Sequence, residues 1–268
     1  MKLAFSNIAW DADEDSAVRA VLRDGNFGGI EIAPTKCWPD WQGADPAAAE
    51  RIRSAMQEDG FAIPALQAVL FGKPDLKVFG DAEEQAALIA HMEQVAALAA
   101  ALGAETLVFG SPRNRDPGAL SAEAAIERAT PVFRAIGECC ARHGVRLGIE
   151  ANPEQYNCRF LTRWREAAAF VRHCAHPGVW LHLDAACTYM AGDDVGEAVA
   201  ACADILSHVH VSEPELGAFD NPVADHRNFA AALRRAGYER WCSVEMRRTE
   251  PALAAVETAA SFAREHYG

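Results

Sequence analysis

Short strand-like runs alternate with helix-like runs along the whole chain, and this alternation constrains the fold more than any other feature. Eight strands are predicted, each followed by a helical pattern, at residues 2–9, 29–32, 63–70, 106–110, 145–150, 180–184, 208–211 and 241–246. Eight units in 268 residues average about 33 residues each, the size of one βα repeat. Since no linker or low-complexity stretch separates the halves, we expect a single domain over residues 1–268.

The alternating pattern predicts a parallel sheet covered by helices. Eight repeats fit a closed (β/α)8 TIM barrel, and a doubly wound open sheet is the alternative. A dinucleotide-binding open sheet would carry Gly-x-Gly-x-x-Gly after its first strand. The chain has Trp10-Asp-Ala-Asp-Glu-Asp there instead, so the pattern favours the α/β barrel.

The charge balance limits the classes of partner. The chain has 25 Lys and Arg against 38 Asp and Glu, a formal net charge of −13. Such a chain repels nucleic acids and anionic lipid surfaces, so neither is expected as a partner. No run of eighteen apolar residues is visible, which argues against a membrane span, and residues 1–7 turn polar too early for a signal peptide. Eight cysteines without Cys-x-x-Cys spacing are typical of reduced, buried thiols in a cytoplasmic protein.

Polar residues alternate with aliphatic ones in the last four predicted strands. Leu181 and Leu183, for example, alternate with His182 and Asp184. Successive strand residues point to opposite faces, so the aliphatic set faces the helices and the polar set faces the barrel axis. At the carboxyl ends of these strands, where barrel active sites are assembled, the inward residues are Glu150, Asp184, His210 and Glu245. They are about one βα unit apart, so we expect them at equivalent heights.

Three carboxylates that converge at low dielectric repel each other unless they are protonated or neutralised. One divalent cation would neutralise them. Three oxygen ligands and one imidazole, with room for substrate oxygens, suit Mn²⁺ above all, with Co²⁺, Mg²⁺ or Zn²⁺ as alternatives. The sequence therefore predicts a metal site in the mouth of the barrel.

At these residues the chain resembles the sugar phosphate isomerase/epimerase superfamily of xylose-isomerase-like barrels, which includes tagatose and psicose 3-epimerases, hydroxypyruvate isomerase, inosose dehydratase and endonuclease IV. The matching stretches are Gly148-Ile-Glu150, His182-Leu-Asp184, His208-Val-His210 and Ser243-Val-Glu245, within a likeness that covers the whole chain. The resemblance implies that Glu150, Asp184, His210 and Glu245 hold the metal. It also implies that Glu150 and Glu245 act as the acid/base pair.

Two departures from the 3-epimerase pattern concern substrate contacts. Those enzymes carry a His three residues after the metal-binding Asp, where this chain has Cys187, and an Arg six residues after the metal-binding His, where it has Leu216. These two departures argue against a ketohexose 3-epimerase. DNA repair is disfavoured because Cys187 stands where endonuclease IV needs a further ligand, Asp225-His226 is wrongly spaced for its late Asp-x-His pair, and the chain is acidic.

Further candidates for substrate contact lie at or after the strand ends. The loop Ser111-Pro-Arg113-Asn-Arg115 could meet a phosphate or carboxylate, and an indole could stack on sugar C–H groups. Packing in the core and solvated loop charges are the alternative roles. The long segment 212–225 after the seventh strand could form a lid. The candidates are Trp10, Glu31, Gln67, Lys73, Arg113, Asn152, His182, Glu213 and Arg247.

A site of this kind supports three functions. The first is a metal-dependent isomerase or epimerase that acts on a small sugar, sugar acid or sugar phosphate through a cis-enediolate. The second is a keto-sugar dehydratase or lyase that uses the same metal and Glu pair. The third is a barrel that binds sugar or metal without turnover, as one subunit of a complex. The expected partner is a small carbohydrate, and a homo-oligomer is compatible with the sequence.

Overall fold

The computed structural model describes residues 1–268 and contains eight strands in one sheet. They are β1 (Lys2–Ser6), β2 (Gly29–Glu31), β3 (Ala65–Leu66), β4 (Thr106–Phe109), β5 (Arg146–Glu150), β6 (Val179–Asp184), β7 (Leu206–Ser212) and β8 (Trp241–Glu245).

The strands are hydrogen-bonded in the order β2-β1-β8-β7-β6-β5-β4-β3, and every pairing is parallel. The two strands at the ends of this order, β2 and β3, meet through bridges that pair Gly29 with Ala62 and Ile32 with Leu66. The bridges bring the sheet to a nearly closed ring. The structure thus confirms the (β/α)8 TIM barrel, and the open sheet is wrong.

Ten helices surround the strands. They are α1 (Asp15–Asp24), α2 (Pro34–Cys37), α3 (Pro46–Glu58), α4 (Ala82–Leu102), α5 (Ala122–Arg142), α6 (Trp164–Cys174), α7 (Ala185–Met190), α8 (Val195–Cys202), α9 (His226–Arg235) and α10 (Ala252–Tyr267). Local sequence sets several boundaries. The Asp45 side chain caps α3 by accepting from the Ala48 N–H, and Asp81 and Glu84 form a capping box at the start of α4.

The hydrophobic core lies between the strands and the helices, as the alternation in the strands predicts. Leu181, Val209 and Val211 face this layer and are fully buried, and one continuous apolar cluster runs from Leu3 to Tyr267. Burying each such side chain contributes roughly 1.5–3 kcal/mol. The same alternation turns every second residue of β5 to β8 toward the barrel axis.

The predicted strands differ from the observed ones mainly at β3, which has two residues where the pattern predicts eight. Pro64 has no N–H to donate to a neighbouring strand, and Ala68 adopts a left-handed φ of +53°, which ends an extended segment. At β1, residues Asn7–Ala9 form a 3₁₀ turn instead of continuing the strand. In contrast, β7 is longer than predicted and ends at Ser212.

Helix α4 qualifies the expectation that no segment could span a membrane. By length and composition alone it is long and apolar enough to do so. In the structure Leu88, Met92 and Val95 are fully buried in the core, and the helix ends at Gly103, whose φ of +78° gives a left-handed C-cap. These contacts are those of a helix packed on a barrel.

All eight cysteines are free thiols, and all except Cys37 are buried. This agrees with the expectation of buried thiols that act as small apolar residues in the core.

Candidate functional site

Three carboxylates, from β5, β6 and β8, lie around the imidazole of His210 from β7 at the carboxyl end of the barrel. Its Nδ1 lies 3.1 Å from Glu245 Oε2, 3.7 Å from Glu150 Oε1 and 3.8 Å from Asp184 Oδ2. Ligand atoms of Asp184, His210 and Glu245 all lie within 4.8 Å of one another. The structure therefore brings together the four residues that the sequence places on the inward face.

Only two of these four residues, Asp184 and His210, are register partners in the sheet. His182, not Asp184, pairs with Glu150, and Asp184 pairs with His210, while Glu245 pairs with Ser212 two residues beyond His210. Tilted strands in a closed barrel are staggered in their hydrogen-bond register, so residues at one height along the axis need not be register partners. The stagger explains how Glu150 and Glu245, which pair with His182 and Ser212, reach the same centre as Asp184 and His210.

The orientation of His210 is fixed from below by Glu31 of β2. Nε2 of His210 lies 3.1 Å from each carboxylate oxygen of Glu31 and donates to it, so Nδ1 faces the three acids. Nδ1 is buried and has no hydrogen-bond partner. Burial by itself would lower the pKa of His210, but the negative charges of Glu31 and Glu245 outweigh it and hold that pKa well above its usual value.

Asp184 is held by two short hydrogen bonds. Its Oδ1 accepts from the Cys187 N–H at 2.6 Å, which also caps α7, and its Oδ2 accepts from Ser212 Oγ at 2.6 Å. Both bonds fix the carboxylate before any ligand binds, as outer partners do for metal-binding residues.

Glu150 accepts a hydrogen bond from Asn152 Nδ2 at 2.8 Å through its Oε2. Gly110, just after β4, leaves the space for this oxygen, since a Cβ there would lie only 1.8 Å from it. Burial, followed by repulsion from Asp184, raises the pKa of Glu150 to about 8. A neighbouring positive charge would relieve both effects.

The donor set fits one divalent cation. An oxygen of each of the three carboxylates lies within 3.8 Å of the unpartnered Nδ1 of His210, and Glu150 suffers burial and repulsion that a cation would offset. A cavity of about 810 Å³ opens above them. It is large enough for a small organic ligand.

Comparison with known proteins identifies the family. A family model described as xylose isomerase-like TIM barrel matches residues 18–266. The chain belongs to this family. No curated protein sequence matches the chain.

Among solved structures, the xylose isomerase-like barrel described above is similar to L-ribulose 3-epimerase, with a TM-score of 0.83, 19% identity and coverage of 100% of this chain and 95% of the other. It is also similar to D-psicose 3-epimerase with D-tagatose from Clostridium cellulolyticum H10, with a TM-score of 0.82, 15% identity and coverage of 100% and 99%. A third similar structure is the IOLI protein with a bound zinc atom, with a TM-score of 0.76, 16% identity and coverage of 100% and 98%.

Five predicted substrate contacts line the cavity of this xylose isomerase-like barrel: Gln67, Lys73, Arg113, Asn152 and Glu213. The side chain of Lys73 is half-exposed, and that of Arg113 is exposed. Gln67 is buried and donates from Nε2 to Ser6 Oγ at 3.0 Å. These positions leave Lys73 and Arg113 free to meet a ligand.

Glu213 lines the cavity, but its carboxylate is engaged in the loop that follows β7. It accepts from the N–H groups of Val223 at 2.8 Å and Ala224 at 3.2 Å, and from His226 Nε2 at 2.6 Å. The structure thus gives Glu213 a loop-holding position, and segment 212–225, expected as a lid, is anchored by it.

Four other predicted contacts do not line the cavity. Trp10 is buried and donates from Nε1 to Asp15 Oδ1 at 2.9 Å. Glu31 and His182 lie beneath the four-residue centre, where the His182 ring is 4.2 Å from that of His210. Arg247 is exposed. Trp10 is therefore a core residue, and Glu31 and His182 support the site from below.

Several residues of the cavity wall were not selected from the sequence. Tyr156 and Glu215 line it, as do Cys187 and Leu216 at the two positions of departure from 3-epimerases. Burial, followed by repulsion from Asp184, raises the pKa of the Cys187 thiol well above its usual value. The wall at these two positions therefore presents a neutral thiol and an apolar side chain.

Proposed function

We propose that the protein is a divalent-metal-dependent isomerase or epimerase that acts on a small sugar, sugar acid or sugar phosphate. The observation that carries the proposal is the buried, unpartnered Nδ1 of His210, which faces Glu150, Asp184 and Glu245 at the floor of an open cavity. The sugar epimerases among the structures of similar fold support the reaction class.

Glu150, Asp184, His210 and Glu245 would hold the ion, with Mn²⁺ as the expected metal. A divalent ion supplies charge that polarises a carbonyl and makes the neighbouring C–H more acidic. The carboxylate of Asp184 is held in place before the ion binds, because both of its oxygens already accept hydrogen bonds from protein groups.

Glu150 and Glu245 are the proposed acid/base pair. One carboxylate removes the proton next to the substrate carbonyl to give a cis-enediolate, and the other returns a proton. Return to the opposite face of the same carbon is epimerisation, and return to the neighbouring carbon, with transfer between the oxygens, is isomerisation. Both side chains line the cavity, where Glu150 is buried and Glu245 is partly buried.

Exchange of solvent deuterium into substrate tests the proposal. The Mn²⁺-loaded protein is incubated in D₂O with a panel of ketoses, ulosonic acids and ketose phosphates, and exchange at the α-carbon is followed by NMR. We expect exchange with at least one compound. Glu245→Gln and Glu150→Gln should each slow it by about 10²–10⁴-fold.

Glu105→Gln is the matched control, because Glu105 is an exposed carboxylate just before β4, at the other end of the barrel. This variant should exchange at the parent rate. No exchange with any compound in Mn²⁺-loaded protein would contradict the proposal. An unsaturated product whose formation requires Glu245 would assign a lyase instead.

A further inference from the structure

Arg115 is a fully buried guanidinium whose polar contacts are all with uncharged groups. It lies in the turn Pro112–Arg115 after β4 and is 0% exposed. Its Nη1 lies 3.5 Å from the Phe109 carbonyl oxygen, and its Nη2 is 2.7 Å from Asn152 Oδ1 and 3.6 Å from Cys158 Sγ. Its Nε has no partner. A buried cation without an acid against it is costly, so its position calls for an explanation.

The nearest carboxylate in this chain of contacts is that of Glu150, which Asn152 contacts in turn. Asn152 accepts from Arg115 through Oδ1 and donates from Nδ2 to Glu150 Oε2 at 2.8 Å. Arginine can only donate and a carboxylate can only accept. The two neighbours therefore fix the amide in one orientation, since a flipped amide would turn its NH₂ toward the guanidinium and its oxygen toward the carboxylate.

The position of the Glu150 carboxylate follows from this amide. Oε2 is held by Asn152 in the space left by Gly110, so Oε1 points to the imidazoles, 3.4 Å from His182 Nε2 and 3.7 Å from His210 Nδ1. Oε1 is thus the oxygen that faces the centre. Asn152 also reaches Cys187 Sγ at 3.7 Å, so its amide has little freedom to contact substrate.

We propose that Arg115 is a positioning residue, which acts through Asn152 to hold Glu150 with one oxygen directed at the metal centre. The inference rests on the proposed function, because it gives a role to a residue that touches neither metal nor substrate. Arginine is required because its planar fork reaches the amide oxygen and the two flanking groups at once, whereas a lysine ammonium is a single point charge.

The contacts that lead from Arg115 through Asn152 to Glu150 are called the relay below. Two variants test it in the full-length protein. Arg115→Met removes the charge and keeps the aliphatic stem, and Arg115→Lys keeps the charge without the fork. Arg134→Met is the matched control, since Arg134 also bonds to uncharged groups, the carbonyls of Cys174 and His173, on the helical side of the barrel. The measurements are the unfolding temperature of metal-free protein and Mn²⁺ affinity by electron paramagnetic resonance. The kcat and KM are measured separately for deuterium exchange into the compound of the panel that the parent protein exchanges.

Both Arg115 variants should bind Mn²⁺ about 10–100-fold more weakly, as loss of an outer partner of a metal ligand does. The value of kcat should fall more than KM rises, while Arg134→Met matches the parent in metal affinity and kcat. If both Arg115 variants keep parental Mn²⁺ affinity and kcat, the relay is wrong. If they do not fold, Asn152→Leu breaks the relay at its middle and must give the same losses, or the inference fails.

The parent protein tests the proposed function, and the Arg115 variants test the relay, so the two failures can be told apart. A parent protein that binds no Mn²⁺ and exchanges no substrate proton refutes the proposed function, and the role of Arg115 with it. A parent that binds Mn²⁺ and exchanges protons, with Arg115 variants that do so equally well, refutes only the relay.

Discussion

His210 has both ring nitrogens committed to different tasks. Nε2 donates to Glu31, which leaves the buried Nδ1 for the centre. A carboxylate behind a metal-binding histidine fixes the tautomer and raises the basicity of the nitrogen that faces the metal. The ring itself is identified by strand alternation, but its partner Glu31 lies 179 residues away in the chain.

Replacing Glu31 with Gln should weaken Mn²⁺ binding by about 10–100-fold. Glutamine can still accept from Nε2, but it lacks the negative charge that supports the imidazole. Isothermal titration of metal-free protein with MnCl₂ measures the effect, with Glu105→Gln as the control for an exposed carboxylate. Equal affinity in the Glu31 variant and the parent would show that the charge of Glu31 is irrelevant to the centre.

Gly110→Ala should displace Glu150 and weaken Mn²⁺ binding by at least tenfold. The added Cβ would lie 1.8 Å from Glu150 Oε2, so either the carboxylate or the β4 end must move. Gly28→Ala is the matched control, because a Cβ there meets only the Trp241 ring at ordinary contact distances of 3.5 Å and 3.7 Å. A Gly110 variant with parental affinity and Tm would mean that the backbone yields without disturbing the site.

At the scale of elements, strand alternation predicts which residues face the axis, and loops decide what surrounds them. Period-two patterns in β5 to β8, combined with position at the carboxyl ends of the strands, select Glu150, Asp184, His210 and Glu245, which the structure brings together. They carry no information about Arg115 or Glu213, whose partners are set by how irregular segments cross the barrel mouth. Sequence places Arg113 and Arg115 in the same loop, but only the structure shows that Arg115 alone is buried.

The loop after β7 should loosen in Glu213→Gln. A hydrogen bond to a charged group contributes roughly 1.5–3 kcal/mol, and Glu213 accepts three, from Val223, Ala224 and His226. We expect amide hydrogen exchange at residues 223 and 224 to accelerate at least tenfold. Glu215→Gln, a change of an exposed carboxylate in the same loop, should leave it unchanged. Equal exchange in both variants would show that Glu213 does not anchor the loop.

At the scale of the whole molecule, the eightfold repeat predicts the barrel because a periodic pattern is repeated over the full chain and local errors do not change it. The strand stagger and the bridges that close β2 against β3 are collective properties of the ring, and no single segment encodes them. The shortened β3 illustrates the difference, since Ala68 adopts a positive φ that its residue type does not favour.

The same scale gives the clearest test of the metal. A ligand that binds only the folded state stabilises it by RT ln(1 + [L]/Kd), about 2.7 kcal/mol at a hundred times Kd. For a chain of this length, Mn²⁺ added to EDTA-treated protein should therefore raise Tm by roughly 5–10 °C. Calorimetry measures the shift, and His210→Ala should abolish it, because that variant lacks the buried nitrogen that faces the acids. A parent protein with the same Tm in EDTA and in saturating Mn²⁺ would contradict a metal centre built on these four strands, since the carboxylates would then tolerate their crowding without a cation.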